Sequence, residues 1–184
     1  IIGILAAVAI PAFIKYIRRA KTSEAEDKIS EMFRSAVAYF TAEQVTRSAD
    51  NETSVAAFPT TVALTPGGAC TTCTAASDGR CTPETAAAGA MGGGYDGNAE
   101  ANWGAPSWTA LNFAISDRHY FTYGFDSDSS AATATNPAGA IFTAHAHADL
   151  DSDTTCSTFE RAGISTSTRD VRGQRGIYRN FETE

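Results

Sequence analysis

Asp149, Asp151 and Asp153 stand at alternate positions of the chain, and Glu160 follows seven residues after Asp153. That is the spacing of a twelve-residue calcium loop, in which carboxylate oxygens at positions 1, 3 and 5 and a bidentate carboxylate at position 12 enclose a hard cation. Position 6 is Thr154, where such a loop needs glycine for its sharp turn. The flanks also read as strands and not as helices. Calcium is therefore one reading of this segment, and a solvated acidic turn is the other.

Just upstream lies His145-Ala-His147-Ala-Asp149, which is similar to the H-x-H-x-D-H zinc motif of metallo-β-lactamase-like hydrolases. The next residue is Leu150 where that motif has histidine, and the chain has three histidines in all, the third being His119. A binuclear zinc centre needs more nitrogen ligands than this. The pair reads instead as two exposed histidines on a strand face, available to a neighbouring subunit. No complete catalytic set is present, so the chain is not expected to be an enzyme and needs no cofactor beyond the calcium of the first reading.

The four cysteines are Cys70, Cys73, Cys81 and Cys156. Cys70-Thr-Thr-Cys73 has the spacing of a redox motif but lies in a Gly/Thr-rich stretch with no βαβ pattern around it. A zinc site with Cys81 and Cys156 is a further alternative. Two structural disulfides are the stronger reading, and three pairings are open. The favoured arrangement joins Cys81 to Cys70 or Cys73 and the remaining one of those to Cys156, tying loop to sheet. Disulfides imply an oxidising, extracytoplasmic compartment.

The net charge is −7, from 21 acidic and 14 basic residues. That balance favours solubility over a nucleic-acid grip spread across the surface. Arg161, Arg169, Arg172, Arg175 and Arg179 gather near the C-terminus. They read first as a solvated or ion-paired surface and only second as a contact for DNA phosphates. Asn51-Glu-Thr53 has the pattern of a glycosylation acceptor.

The element expected to organise all of this is at the start of the chain. Ile1, Ile2, Gly3, Ile4, Leu5, Val8, Ile10, Pro11, Phe13 and Ile14 belong to a fourteen-residue stretch with no polar side chain, followed by the basic cluster Lys15, Arg18, Arg19 and Lys21. Such a segment is apolar all round and must be buried by lipid or by other apolar helices. As a helix it covers about 21 Å, short of the roughly 30 Å hydrocarbon core of a bilayer. From Thr22 the pattern becomes amphipathic, with Ile29, Met32, Phe33, Ala36, Val37 and Phe40 on one face and Asp27, Lys28, Glu31 and Arg34 opposite. One helix is expected from residue 1 to about residue 44, weakened between Gly3 and Pro11, because glycine loosens the backbone and proline cannot donate to the carbonyl of Ala7.

The body divides into three parts: helix over residues 22–45, a disulfide-stapled loop region over 46–102, and a sheet region over 103–184. Strands are expected over residues 119–125, 141–150, 155–160 and 176–181. In the second, Phe142, Ala144, Ala146, Ala148 and Leu150 alternate with Thr143, His145, His147 and Asp149. The expected fold is α+β: a long N-terminal helix laid on an antiparallel sheet of about four strands.

The run IIGILAAVAIPAFIKYIRRAKTSEAE resembles the N-terminal helix of type IV pilins and their secretion-system relatives, whose mature chains begin with a methylated Phe and continue FTLIELMIVVA into the same IIGILAAVAIP. YFTYGF and FTAHAHADLDSDTTCSTFE are similar, more loosely, to the sheet region of delta-proteobacterial pilins. The resemblance implies a structural subunit of an extracellular filament serving adhesion, motility, DNA uptake or cell contact. It implies self-association through the apolar helix, residence in the inner membrane beforehand, and delivery by pilus assembly machinery. It also implies about ten residues ahead of Ile1, including a glutamate used in assembly, and a basic leader that outweighs the cluster at Lys15 to Lys21 during insertion. On this reading Arg18 and Arg19 meet Glu24 and Glu26 of neighbouring subunits. A type II secretion pseudopilin and a membrane-tethered metal-binding domain are the alternatives.

Overall fold

The computed structural model describes residues 2–42, 45–48, 51–54, 57–73, 80–81, 102–129 and 137–181. A single helix, α1, runs over Ile2–Thr41. At 1.5 Å per residue its forty residues cover about 60 Å. It is helical straight through Gly3 and Pro11, so the weak interval expected there does not interrupt it in the isolated chain. It stops at Thr41, three residues short of the expected end.

The second half of α1 is held by its apolar face. Ala25, Ile29, Met32, Phe33, Ala36 and Phe40 are buried, at the three- and four-residue steps that keep side chains on one side of a helix. Asp27 and Arg34, on the far side, are exposed.

Three short strands come next: β1 (Val45–Ser48), β2 (Asn51–Ser54) and β3 (Val62–Thr65). β1 and β2 form a hairpin of their own, with Val45 opposite Ser54. Asn51-Glu-Thr53 lies in it. These strands correct the expectation of loop from residue 46 onward. A short helix, α2 (Pro106–Ala110), with proline in its first turn, was likewise not expected.

The main sheet adds β4 (Thr122–Asp128), β5 (Ile141–Ala148), β6 (Ser157–Ser165), β7 (Val171–Gly173) and β8 (Tyr178–Asn180). Its order is β3-β4-β5-β6-β7, all neighbours antiparallel, and β8 also pairs with β6. β7 takes the Gly163–Ser165 end of that edge and β8 the Thr158–Glu160 end. The four expected strands are present, and β3 and β7 raise the count to six. The fold is α+β, one long helix against an antiparallel sheet.

α1 crosses β5 and β6. The inward face of β5 is Phe142, Ala144, Ala146 and Ala148, all buried, and the three methyl groups keep that surface low beneath the helix. Phe142 is the hub at one end: its ring lies 5.3 Å from Phe33, 4.6 Å from Phe58 and 5.5 Å from Phe125. A second cluster joins Trp103, Trp108, Phe113 and Tyr123. The Trp108 Nε1–H donates to Thr65 Oγ1 at 3.1 Å, which fastens α2 to β3. Gly173 lies so near the Phe33 ring that an added Cβ would overlap it.

Candidate functional site

The first turns of α1 differ from the rest in what covers them. Val8 is 73% exposed, Phe13 63% and Tyr16 71%, and Ile10, Pro11, Ile14 and Ile17 are exposed as well. Contact with the head begins near Arg18. Among the described residues, no helix is long and apolar enough to cross a membrane. The side chains of Ile1, Ile2, Ile4 and Leu5 lie outside the described set.

Where α1 meets the head, its charges turn inward. Arg18 Nη1 lies 3.0 Å from Asp151 Oδ2. Glu24 accepts the Tyr120 N–H at 3.0 Å and the Tyr123 hydroxyl at 2.9 Å. Arg179 Nη2 pairs with Glu26 Oε1 at 2.8 Å. The ammonium of Lys21 sits 4.4 Å over the Tyr120 ring. Three of the four charges expected to act between subunits, Arg18, Glu24 and Glu26, are thus engaged within one chain. Arg19 stays exposed, with no ion pair among the described residues. The physical reason is position: Glu24 and Glu26 flank Ala25 on the buried stripe, so they meet the sheet and not the outside.

These contacts shift two groups. Burial pushes the Glu24 carboxyl above its usual value, against the opposing effect of hydrogen bonds from the Tyr120 N–H, the Tyr123 hydroxyl and the Phe121 N–H. Lys21 is pushed down, first by burial and then by the nearby charges of Arg80 and Arg18.

The acidic turn between β5 and β6 is built by its own first residue. Asp149 Oδ1 accepts the N–H groups of Ser152 at 2.7 Å and Asp153 at 3.2 Å, and its Oδ2 accepts that of Thr154 at 3.0 Å. Ser152 and Thr154 adopt positive φ to permit this. Asp149, Asp151 and Asp153 can bring oxygens within 4.8 Å of one another. Glu160 does not join them: it lies in β6 opposite His145. Four strand residues beyond Cys156 carry it roughly 13 Å from the turn. The twelve-position loop of the calcium reading is therefore not assembled, because its last ligand is out of reach. Backbone amides occupy both oxygens of Asp149, and Arg18 occupies Asp151 Oδ2 but not Oδ1.

The disulfides are Cys73–Cys81 and Cys70–Cys156, the favoured arrangement. The Cys81 N–H donates to the carbonyl of His119, and the N–H of His119 donates back to Cys81, at 2.8 and 3.0 Å. Cys73, Cys81 and His119 are close enough to hold a metal, but the two sulfurs are bonded to each other and offer no thiolate. Burial pushes the His119 imidazole below its usual value.

On the outer face of the sheet, His145 and His147 are half-buried and not exposed as expected. His145 lies over Gly124, where any Cβ would strike its ring. His145 Nδ1 is 3.0 Å from His147 Nε2. Of the outer nitrogens, His147 Nδ1 lies 3.1 Å from Thr158 Oγ1, while His145 Nε2 lies 3.3 Å from Asp126 Oδ2 without forming a hydrogen bond. Burial and, second, the neighbouring His145 lower His147 to about 4, and burial lowers His145 against the pull of Asp126 and Glu160. The strand alternation already placed both rings on one face. That Asp126 and Thr158 flank them follows only from the pairing of three strands.

No protein-family description, curated protein or solved structure matches this chain.

Proposed function

We propose that this chain is a structural subunit that polymerises through the first half of α1 into an extracellular, type IV pilus-like filament. The observation that carries the reading is the division of one continuous helix: residues 22–41 lie on the sheet, while the apolar side chains from Val8 to Ile17 stand exposed. Exposed aliphatic and aromatic side chains on an unpartnered helix face strongly favour association, because each buried side chain of this size gains about 1.5–3 kcal/mol. Neighbouring copies of the same helix supply that surface. The resemblance of residues 1–26 to pilins supports the same reading, which includes an inner-membrane stage before assembly and delivery by pilus machinery, and the two disulfides fit an extracytoplasmic location.

With Arg18, Glu24 and Glu26 engaged inside the head, Lys15 and Arg19 are the exposed basic residues beside the apolar half of the helix that steer packing between copies. The test is expression behind a prepilin leader in a cell that carries the assembly machinery, followed by shearing and imaging of the surface fraction. The chain is expected in filaments of uniform width, and Val8→Glu with Phe13→Glu is expected to leave it in the membrane with a folded head. Recovery of the double variant in ordinary filaments would refute the proposal.

A further inference from the structure

We infer that His145 and His147 form a binding site for a late first-row divalent metal ion of the copper, nickel and zinc class, held through His145 Nδ1 and His147 Nε2 on the outer face of the sheet. The site is separate from the acidic turn and from the assembly helix, and does not rest on the filament reading.

The argument starts from where the protons must be. Asp126 Oδ2 lies 3.3 Å from His145 Nε2 without the alignment of a hydrogen bond, and its negative charge still favours the imidazole proton on that nitrogen over a lone pair there. A neutral ring then carries a bare lone pair on Nδ1, directed toward His147. The Thr158 hydroxyl beside His147 Nδ1 can act either way. When it donates, His147 Nε2–H closes a hydrogen bond to His145 Nδ1. When it accepts, His147 Nε2 is also bare, and two lone pairs face each other across 3.0 Å. That second state is unfavourable empty and suited to a cation, and it is reached by rotating one hydroxyl and moving one proton.

The spacing agrees with ligation. Two imidazole nitrogens bound at about 2.0–2.1 Å and at right angles stand about 3.0 Å apart, and a tetrahedral pair stands about 3.4 Å apart. Imidazole is the ligand this class of metals prefers, whereas calcium and magnesium prefer oxygen. A carboxylate, the kind of partner metal-bound histidines use, lies near the far nitrogen of His145, and the Thr158 hydroxyl lies at that of His147. Asp126 and Glu160 place negative charge near His145, with Glu160 facing it across the β5–β6 ladder, and so offset part of the cost of bringing a cation to a half-buried site. Gly124 gives the His145 ring room to lie against the sheet.

The experiment uses the full chain in detergent, stripped of metal and titrated separately with the chlorides of copper(II), nickel and zinc at pH 7.5 by calorimetry. Electron paramagnetic resonance is recorded on the copper form. One equivalent is expected to bind, and the copper spectrum is expected to show coupling to two imidazole nitrogens. Asp126→Asn should weaken binding about 10–100-fold, and the paired change His145→Gln with His147→Gln should abolish it. Asp153→Asn, in the acidic turn, should leave it unchanged. Absence of saturable binding by all three metals, a copper spectrum with fewer than two imidazole nitrogens, or undiminished binding in the folded double variant would each overturn the inference. The spectrum of the unaltered chain decides the matter even if the variants fail to fold.

Discussion

Arg18 and Asp151 stand 133 residues apart in the chain, yet their side chains meet at 3.0 Å. The pair fastens the basic cluster on α1 to the turn between β5 and β6, so the head begins about four residues earlier than the change of sequence pattern at Thr22 implies. Both side chains are largely covered, at 27% and 17% exposure. Arg18→Glu places two like charges there and should destabilise the fold by about 1 kcal/mol or somewhat more, whereas Arg19→Glu should stay within about 0.5 kcal/mol of the parent. Urea denaturation of the two variants side by side checks this. Equal effects would mean that the pairing contributes nothing.

Glu24 supplies the pH dependence of the same seam. Its carboxyl is raised by burial, so the folded chain holds that proton at pH values where the unfolded chain, near 4.5, has released it. Folding is therefore favoured by this group below about pH 4.5, and the contribution is lost as pH rises through the raised value. The stability of the parent minus that of Glu24→Gln should accordingly be larger at pH 4 than at pH 7.5. Thermal melts of both proteins across that range read the sign directly. A difference that grows with pH would show that the hydrogen bonds from Tyr120 and Tyr123 outweigh burial.

The sequence carried the large periodic features and missed what pairing across the fold creates. Ile29, Met32, Phe33, Ala36 and Phe40 were legible because a helix repeats every three to four residues, and Phe142, Ala144, Ala146 and Ala148 because a strand repeats every two. β1 and β2 were not, since VTRS and NETS show little apolar alternation. β3, four residues beside a Gly/Thr-rich stretch, offers too short a pattern to separate from loop. Glu160 fits a calcium loop by spacing alone, but an extended strand carries it away. The inward use of Arg18, Glu24 and Glu26 depends on Asp151, Tyr120, Tyr123 and Arg179, all at least 96 residues distant, and no local pattern encodes that.

Phe142 joins α1, β4 and the segment around Phe58 through three ring contacts. It is about 1% exposed, so truncation leaves a cavity that its aromatic neighbours cannot readily close. Phe142→Ala should cost about 3–5 kcal/mol. Ile141→Ala, next in sequence but 48% exposed, should cost far less. Chemical denaturation of the pair separates the inward from the outward face of β5. Similar losses would contradict the alternation.

The two disulfides fasten different things and should fail differently. Cys73–Cys81 closes a short loop whose second cysteine is bridged to His119 by two backbone hydrogen bonds, so part of its geometry persists without the bond. Cys70–Cys156 spans 86 residues and ties the turn after β3 to the start of β6. Closing the longer loop restricts the unfolded chain more, and in the chain-entropy account the difference between loops of these lengths is about 2 kcal/mol. Cys156→Ser with Cys70→Ser should therefore lower the melting temperature more than Cys73→Ser with Cys81→Ser. Peptide mapping under non-reducing conditions should recover these two pairs alone. A Cys70–Cys81 peptide would contradict the connectivity, and a larger loss from the short loop would show that the bridge to His119 does not survive without the bond and that loop length does not set the order.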